Sequence, residues 1–138
     1  MSIFNKIAGY GSMSVDKKLL ERIEPYMLSD ESVLQAFTFI RDSIVLTNKG
    51  LYFIDVQGLT GKKVEVKFFP GKNIKAISFE TAGNFDLDVD VKISVDGNTK
   101  VLANNVVYNE PISFKVPKTQ STEAQEIIKS IKEHFMND

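Results

Sequence analysis

From Val33 to about Val116 the chain alternates hydrophobic and polar residues in short runs, and after Pro117 the period changes to one helical stripe. Val33–Ile40 and Ser43–Thr47 are two β-rich runs separated by Arg41-Asp42, and the strand pattern resumes at Leu51–Val56. Between them Asn48-Lys49-Gly50 offers a residue tolerant of positive φ followed by glycine, which is turn chemistry. Three strands joined by tight turns make a meander, ended by the longer turn at Gly58–Gly61. Lys62–Phe69 alternates most cleanly, with Val64, Val66 and Phe68 on one face and Lys63, Glu65 and Lys67 on the other. Past the Pro70-Gly71 turn, strand patterns cover Ile74–Thr81 and Asp86–Val95, the latter with Leu87, Val89, Val91, Ile93 and Val95 facing in. Asp96-Gly97 predicts a hairpin from that strand to Lys100–Ala103. Asn104-Asn105 and Asn109-Glu110-Pro111 read as loops, and Ile112–Val116 as one more short strand.

Two helices frame these strands. Leu19, Leu20, Ile23 and Met27 form a stripe over Asp16–Glu24, and Pro25 disfavours helical geometry at the residue before it. The terminal helix, Ser121–Phe135, opens with Thr122 and Gln125 at capping-box spacing, or with Ser121 as N-cap. Its apolar stripe is Ala124, Ile127, Ile128, Ile131 and Phe135, which must lie on the sheet, while Glu126, Lys129, Lys132 and Glu133 suit water. Residues 1–15 are an apolar N-terminal arm broken by Gly9 and Gly11, in which Phe4, Ile7 and Tyr10 lack partners. The remainder, 16–138, is read as a single domain, since 138 residues supply about one core.

Composition narrows the function more than the fold. With no Cys there is no disulfide framework, thiolate zinc site or cysteine nucleophile, and the single His134 excludes any site built on two imidazoles. A net charge of −1 gives no field to draw the chain to nucleic acid or to an anionic membrane. No apolar run reaches the roughly 20 residues of a membrane-spanning helix, and the first residues make a poor signal peptide, so a cytoplasmic location is expected.

The stretch Arg41–Glu65, which reads RDSIVLTNKGLYFIDVQGLTGKKVE, and the stretch Ser78–Asp88, SFETAGNFDLD, carry a specific likeness. They resemble the bacterial pleckstrin-homology (PH) domain family, in which runs of the form TNKRL…D.QG.TGKK.E and ETAG.FDLD are typical, and the similarity covers roughly residues 20–136. Gly50 stands where that family often has Arg, and Gly71 where an aromatic is common after Pro70. What the resemblance implies is a mainly β, PH-like split or partial barrel of about seven antiparallel strands capped by the amphipathic helix, with a short N-terminal helix besides. It also implies no catalysis, no cofactor, and frequently a ring-like or other homo-oligomer. The expected function is therefore a self-associating interaction module that binds an unknown protein partner, with addition of a strand to an open sheet edge as a natural mode.

Candidate chemistry is sparse. Asp86, Asp88 and Asp90 alternate along one strand, but the EF-hand pattern fails at Val91 and Gly97, and carboxylates about 6–7 Å apart do not wrap a cation, so no metal is expected. Gly58–Lys63 lacks the spacing of a phosphate loop. Lys62, Lys63 and Lys67 are the candidate patch for anionic lipid or a phosphorylated ligand. At about 1 kcal/mol per basic residue they supply about 3 kcal/mol, against about 8 for micromolar binding, so membrane association is expected to be weak. His134 suits the negative end of the terminal helix, and no nucleophile stands by it. Phe53, Phe68 and Phe79 are assigned to the core by alternation. Phe69 and Phe85 are left over, and with Phe4, Ile7 and Tyr10 they are the candidate interface residues.

Overall fold

In the computed structural model the described residues are 17–39, 42–57, 63–81 and 88–136. The chain divides into two compact units, Met1–Phe68 and Phe69–Asp138. The sequence candidates Phe4, Ile7, Tyr10, Lys62 and Phe85 lie outside the described residues.

The first unit holds helix α1 (Lys17–Ile23), a 3-10 turn at Glu24–Tyr26, and strands β1 (Val33–Phe39), β2 (Asp42–Thr47), β3 (Gly50–Gln57) and β4 (Lys63–Pro70), the last crossing into the second unit. They form one sheet in the order β1-β2-β3-β4. Antiparallel register places Ala36 opposite Val45 and Val45 opposite Tyr52, so these share one face. Leu20 and Ile23 pack there with Val33, Ala36, Val45, Tyr52 and Ile54, and Met27 and Val64 close the edge of the cluster. Helix α1 thus lies on a sheet face, where its stripe replaces water over apolar side chains. The opposite face carries Phe37, Phe39, Ile44, Leu46 and Leu51, all buried, with the Phe37 and Phe39 rings stacked at 6.1 Å. Burial of both faces explains why these runs read as nearly continuous hydrophobic sequence.

The β2–β3 turn does not use left-handed backbone at Asn48 or Gly50. Side chains hold it instead. Asn48 Oδ1 accepts from the Ser32 amide at 2.8 Å, Asn48 Nδ2 donates to the Asp30 carbonyl at 2.9 Å, and Thr47 Oγ1 accepts from the amides of Lys49 and Gly50 at 3.1 and 3.3 Å.

The second unit holds a 3-10 turn at Gly71–Asn73, strands β5 (Ile74–Thr81), β6 (Val89–Val95), β7 (Thr99–Val101), β8 (Val107–Asn109) and β9 (Ile112–Val116), a 3-10 turn at Lys118–Gln120, and helix α2 (Ser121–Phe135). The order β5-β6-β9 makes a second antiparallel sheet, and β7-β8 a separate ribbon. The seven strands of the two sheets match the expected number, and the strands form no closed barrel among the described residues. Val91, Ile93, Val95, Ile112, Phe114 and Val116 line the buried face, and Ala124, Ile127 and Ile131 of α2 are buried with them, α2 lying against β6.

Three local expectations are corrected. Asp96-Gly97 does turn the chain, with Gly97 at φ +103°, but β6 pairs with β9 and not with β7. The reason is that the Asp96 amide donates to the Asn73 carbonyl at 2.9 Å and Asn73 Nδ2 returns a bond to the Asp96 carbonyl at 3.1 Å, which leads the following residues out of the sheet. Val107–Asn109 is a strand and not wholly a loop, and α2 begins without a side-chain cap bond from Thr122 or Ser121. Its entry is set by the preceding 3-10 turn, where the Gln120 amide donates to the Pro117 carbonyl at 2.8 Å.

Gly71 lies against the ring of Phe135 at the end of α2, and a Cβ added at Gly71 would overlap that ring. Gly71→Ala is expected to cost about 1–3 kcal/mol through overpacking. Adding Phe135→Ala should recover part of that loss in urea denaturation, because it removes the colliding atoms.

Candidate interaction surfaces

The sequence candidates fall in different places. Of the lysine patch, Lys63 is exposed on β4, while Lys67 Nζ stands 3.7 Å from the Glu65 carboxylate in the same row. The positive charge of that row is therefore partly offset. Phe69, expected as an exposed interface side chain, is only 5% exposed, whereas Phe68 and Phe79, expected in the core, are 40% and 59% exposed. The alternation of β4 does not become one buried and one wet face: Val66 is 39% exposed as well, and the buried Phe69 stands in the row of Lys63, Glu65 and Lys67, although the Phe68 ring does lie 4.7 Å from Tyr52. Phe68 is nevertheless near the strand's end and Phe79 is on an outer strand, and alternation carries no information about whether a row is covered there. Asp88 is exposed, and Asp90 lies between Glu80 and Lys115 in register, while Asp86 is outside the described residues. Among the described residues no group of three or more His, Cys, Asp or Glu is placed to hold a metal. His134 is exposed in the last turn of α2.

One exposed apolar surface was not anticipated. Val101, Leu102, Val106, Val107 and Tyr108 are 66%, 47%, 49%, 60% and 40% exposed, and all lie on the β7–β8 ribbon or its tip. Register puts Val101 opposite Val107 and Lys100 opposite Tyr108, and the Leu102 amide donates to the Val106 carbonyl at 2.8 Å. Hence Val101 and Val107 share one face, while Leu102, Val106 and Tyr108 share the other. Both faces are exposed and both carry apolar side chains, the second beside Lys100.

The ribbon is firmly built at its two ends. At the base, Asn98, only 7% exposed, accepts the Glu110 amide on its carbonyl and donates its side-chain amide to the Glu110 carbonyl, each at 2.8 Å. Lys100 Nζ stands 2.9 Å from the Glu110 carboxylate. At the tip, Asn105 takes φ +66°, the left-handed region that asparagine tolerates, and Asn104 Oδ1 accepts the Val106 amide. The sequence signal for this element is the pair of asparagines flanked by apolar runs, which reads as a hairpin once its partner strand is taken as Val107–Asn109.

Two polar groupings in the first unit, one buried and one half-buried, also escaped the pattern. Glu31, 3% exposed, accepts Thr47 Oγ1 at 2.7 Å and the Leu28 amide at 3.1 Å. It also accepts the Tyr52 hydroxyl, and burial followed by the charge of Glu31 pushes the Tyr52 phenol above its ordinary range. The second grouping is Asp42 and Asp55, directly opposite in the β2–β3 register, with Gln57 Nε2 donating to Asp55 at 3.2 Å. Burial, then a hydrogen bond and the charge of Asp55, push the Asp42 carboxyl from 3.8 up to about 7. The register about Asn48-Lys49 contains this pairing, so it was readable from the hairpin alone.

A pH dependence follows. Because the folded state holds a proton on Asp42 that the unfolded chain releases near pH 3.8, this group's contribution is full below about pH 4 and is lost as pH rises through about 7. Asp42→Asn keeps a donor for Asp55 and removes the like charge. At pH 8 the variant is expected to be more stable by about 1–2 kcal/mol, the full effect being reduced by solvent screening at this half-buried site. Near pH 4 the difference should disappear in parallel denaturant titrations.

An antiparallel chain in two sheets with one separate ribbon and a packed amphipathic helix after the last strand defines the PH-like class of domain. The chain matches the bacterial PH domain family over residues 2–134 and belongs to it. It is 40% identical over 97 residues, 70% of this chain and 78% of the relative, to the uncharacterized protein YjqA of Bacillus subtilis. Among solved structures it is similar to a pleckstrin homology domain from Shewanella amazonensis, at 31% identity and TM-score 0.71 over 93% of this chain and 94% of that one. It is also similar to a DUF1696-family protein with a pleckstrin-homology domain from Shewanella loihica, at 32% identity and TM-score 0.66 over 88% and 95%.

Proposed function

We propose that this protein is a non-catalytic interaction module that self-associates into a homo-oligomer and in that form presents a repeated surface to a protein partner. The observation that carries this reading is the β7–β8 ribbon, which carries exposed apolar side chains on both faces and is pre-formed at its base by Asn98. A surface meant for water needs no such side chains, and contiguous exposed apolar patches mark interaction sites. Two apolar faces cannot both be covered by one flat contact, so the ribbon suits insertion between elements of another subunit. Its pre-formed stem lowers the ordering cost of that contact.

Light scattering coupled to size exclusion tests this directly. The native chain should elute above monomer mass at micromolar concentration, and a Val101→Ser, Val107→Ser, Tyr108→Ser variant with unchanged circular dichroism should fall to monomer. A native chain that stays monomeric overturns the reading. The alternative, weak binding of anionic lipid or a phosphorylated ligand by Lys62, Lys63 and Lys67, has less behind it, because Glu65 interrupts the row of lysines on β4.

A further inference from the structure

The face of the first sheet that receives α1 is not covered across its whole width. Ala36, Val45 and Tyr52 stand opposite one another in register on that face, and the Phe68 ring against Tyr52 brings Val64, Val66 and Phe68 of β4 onto it as well. Leu20 and Ile23 of α1 bury the part over β1 to β3, but Val66 and Phe68 remain 39% and 40% exposed. Dimensions explain the shortfall. Four strands put their outer members about 14 Å apart, whereas one helix is about 10 Å wide and the few residues of α1 make only about 10 Å of length. Tyr26 and Leu28, on either side of Met27 in the segment that follows α1, are 76% and 57% exposed. Apolar side chains therefore stand uncovered along β4 and after α1, and none of them belongs to the ribbon.

We infer that residues 1–16 of this same chain, which lie outside the described residues, dock on this face along the β4 row. The inference goes beyond the self-association proposed above, and it moves Phe4, Ile7 and Tyr10 from a contact between copies to a contact within one chain. The chain enters α1 at Lys17, and α1 lies on the face in question, so the segment before it is delivered to that face. Sixteen residues reach about 50 Å when extended and about 24 Å as a helix, and either exceeds the width of the sheet. Phe4, Ile7, Tyr10 and Met13 recur at every third residue, and Lys6 carries the only charged side chain in residues 1–15. A segment of that composition is stabilised by covering apolar surface. An occupant tethered to the face acts at about millimolar effective concentration, well above a free partner at micromolar level, and this selects the chain's own arm over a second copy or an unrelated protein.

The chain has no Trp and no Cys, so one introduced indole or a pair of introduced thiols reports one place. In a Phe68→Trp background, acrylamide should quench the indole at least about twofold less with the native arm than with Phe4→Ser, Ile7→Ser and Tyr10→Ser together, because a docked arm keeps water and quencher from the β4 row. The arm substitutions should leave the circular dichroism unchanged. A short bismaleimide should link Ser12→Cys to Val66→Cys within one chain at least about tenfold faster than it links the two single variants after mixing. Equal linkage between mixed chains assigns the face to the arm of a second copy and overturns docking within the chain. Equal quenching with the native and the substituted arm, or no linkage in the double variant, overturns the arm as the occupant. Light scattering keeps the two readings apart: the arm variant should retain the mass of the native chain, whatever that mass is, and a fall in mass on substituting the arm overturns the contact proposed here, whereas the ribbon reading fails only if the native chain is itself monomeric.

Discussion

Ile131→Ala is expected to lower the stability of the protein by about 2–5 kcal/mol, read as a fall in the urea midpoint with an unchanged slope. Ile131 is 0% exposed, and its neighbours on the α2 stripe, Ile127 and Ala124, are 1% and 4% exposed. Truncation removes three methyl or methylene groups from a site with no water to replace them, and the surrounding sheet collapses only in part. Against a total stability of about 5–15 kcal/mol, that loss is a large fraction. Lys129→Ala, on the exposed side of the same helix, should stay within about 0.5 kcal/mol of the native chain. Were both substitutions equally mild, α2 would not be the element that closes the second sheet. If Ile131→Ala remains folded at low temperature, it should keep the native assembly mass, because the proposed contact lies on the ribbon.

That separation between what stabilises and what interacts also marks where the sequence was readable. Periodicity located α2 at Ser121–Phe135, β5 at Ile74–Thr81 and β9 at Ile112–Val116, because each carries its apolar residues on one stripe or at alternate positions. It misassigned the partner of Thr99–Val101, because a turn signal is local while the choice of partner strand depends on Asn73 and Glu110, far along the chain. The aromatics show the same limit. Alternation says which face Phe68, Phe69 and Phe79 occupy, but coverage depends on whether a neighbouring strand or helix extends that far, and this placed Phe69 inside and Phe79 largely outside. The ribbon was legible in composition, with Val101, Leu102, Val106, Val107 and Tyr108 around two asparagines, yet such residues ordinarily signal a core. Only the structure shows them exposed.

Glu31→Ala is expected to be as damaging as many core truncations, at about 3 kcal/mol, although no apolar area of consequence is lost. Its carboxylate receives Thr47 Oγ1, the Leu28 amide and the Tyr52 hydroxyl in a site 3% exposed. Removing an acceptor leaves buried donors unsatisfied, at about 1–3 kcal/mol for each that finds no water. Thr47 Oγ1 is also the acceptor for the Lys49 and Gly50 amides, so the damage reaches the β2–β3 turn. Glu31→Gln keeps the volume and one acceptor, and should cost about 1 kcal/mol, since hydroxyls can reorient to meet the new amide. Absorbance titration of the phenol separates the two contributions at Tyr52. In Glu31→Gln its pKa should drop, because the neighbouring charge is gone, but stay above the ordinary value, because burial is the larger cause. An unchanged titration in that variant would mean that burial alone sets the Tyr52 phenol, and that Glu31 holds the turn by geometry and not by charge.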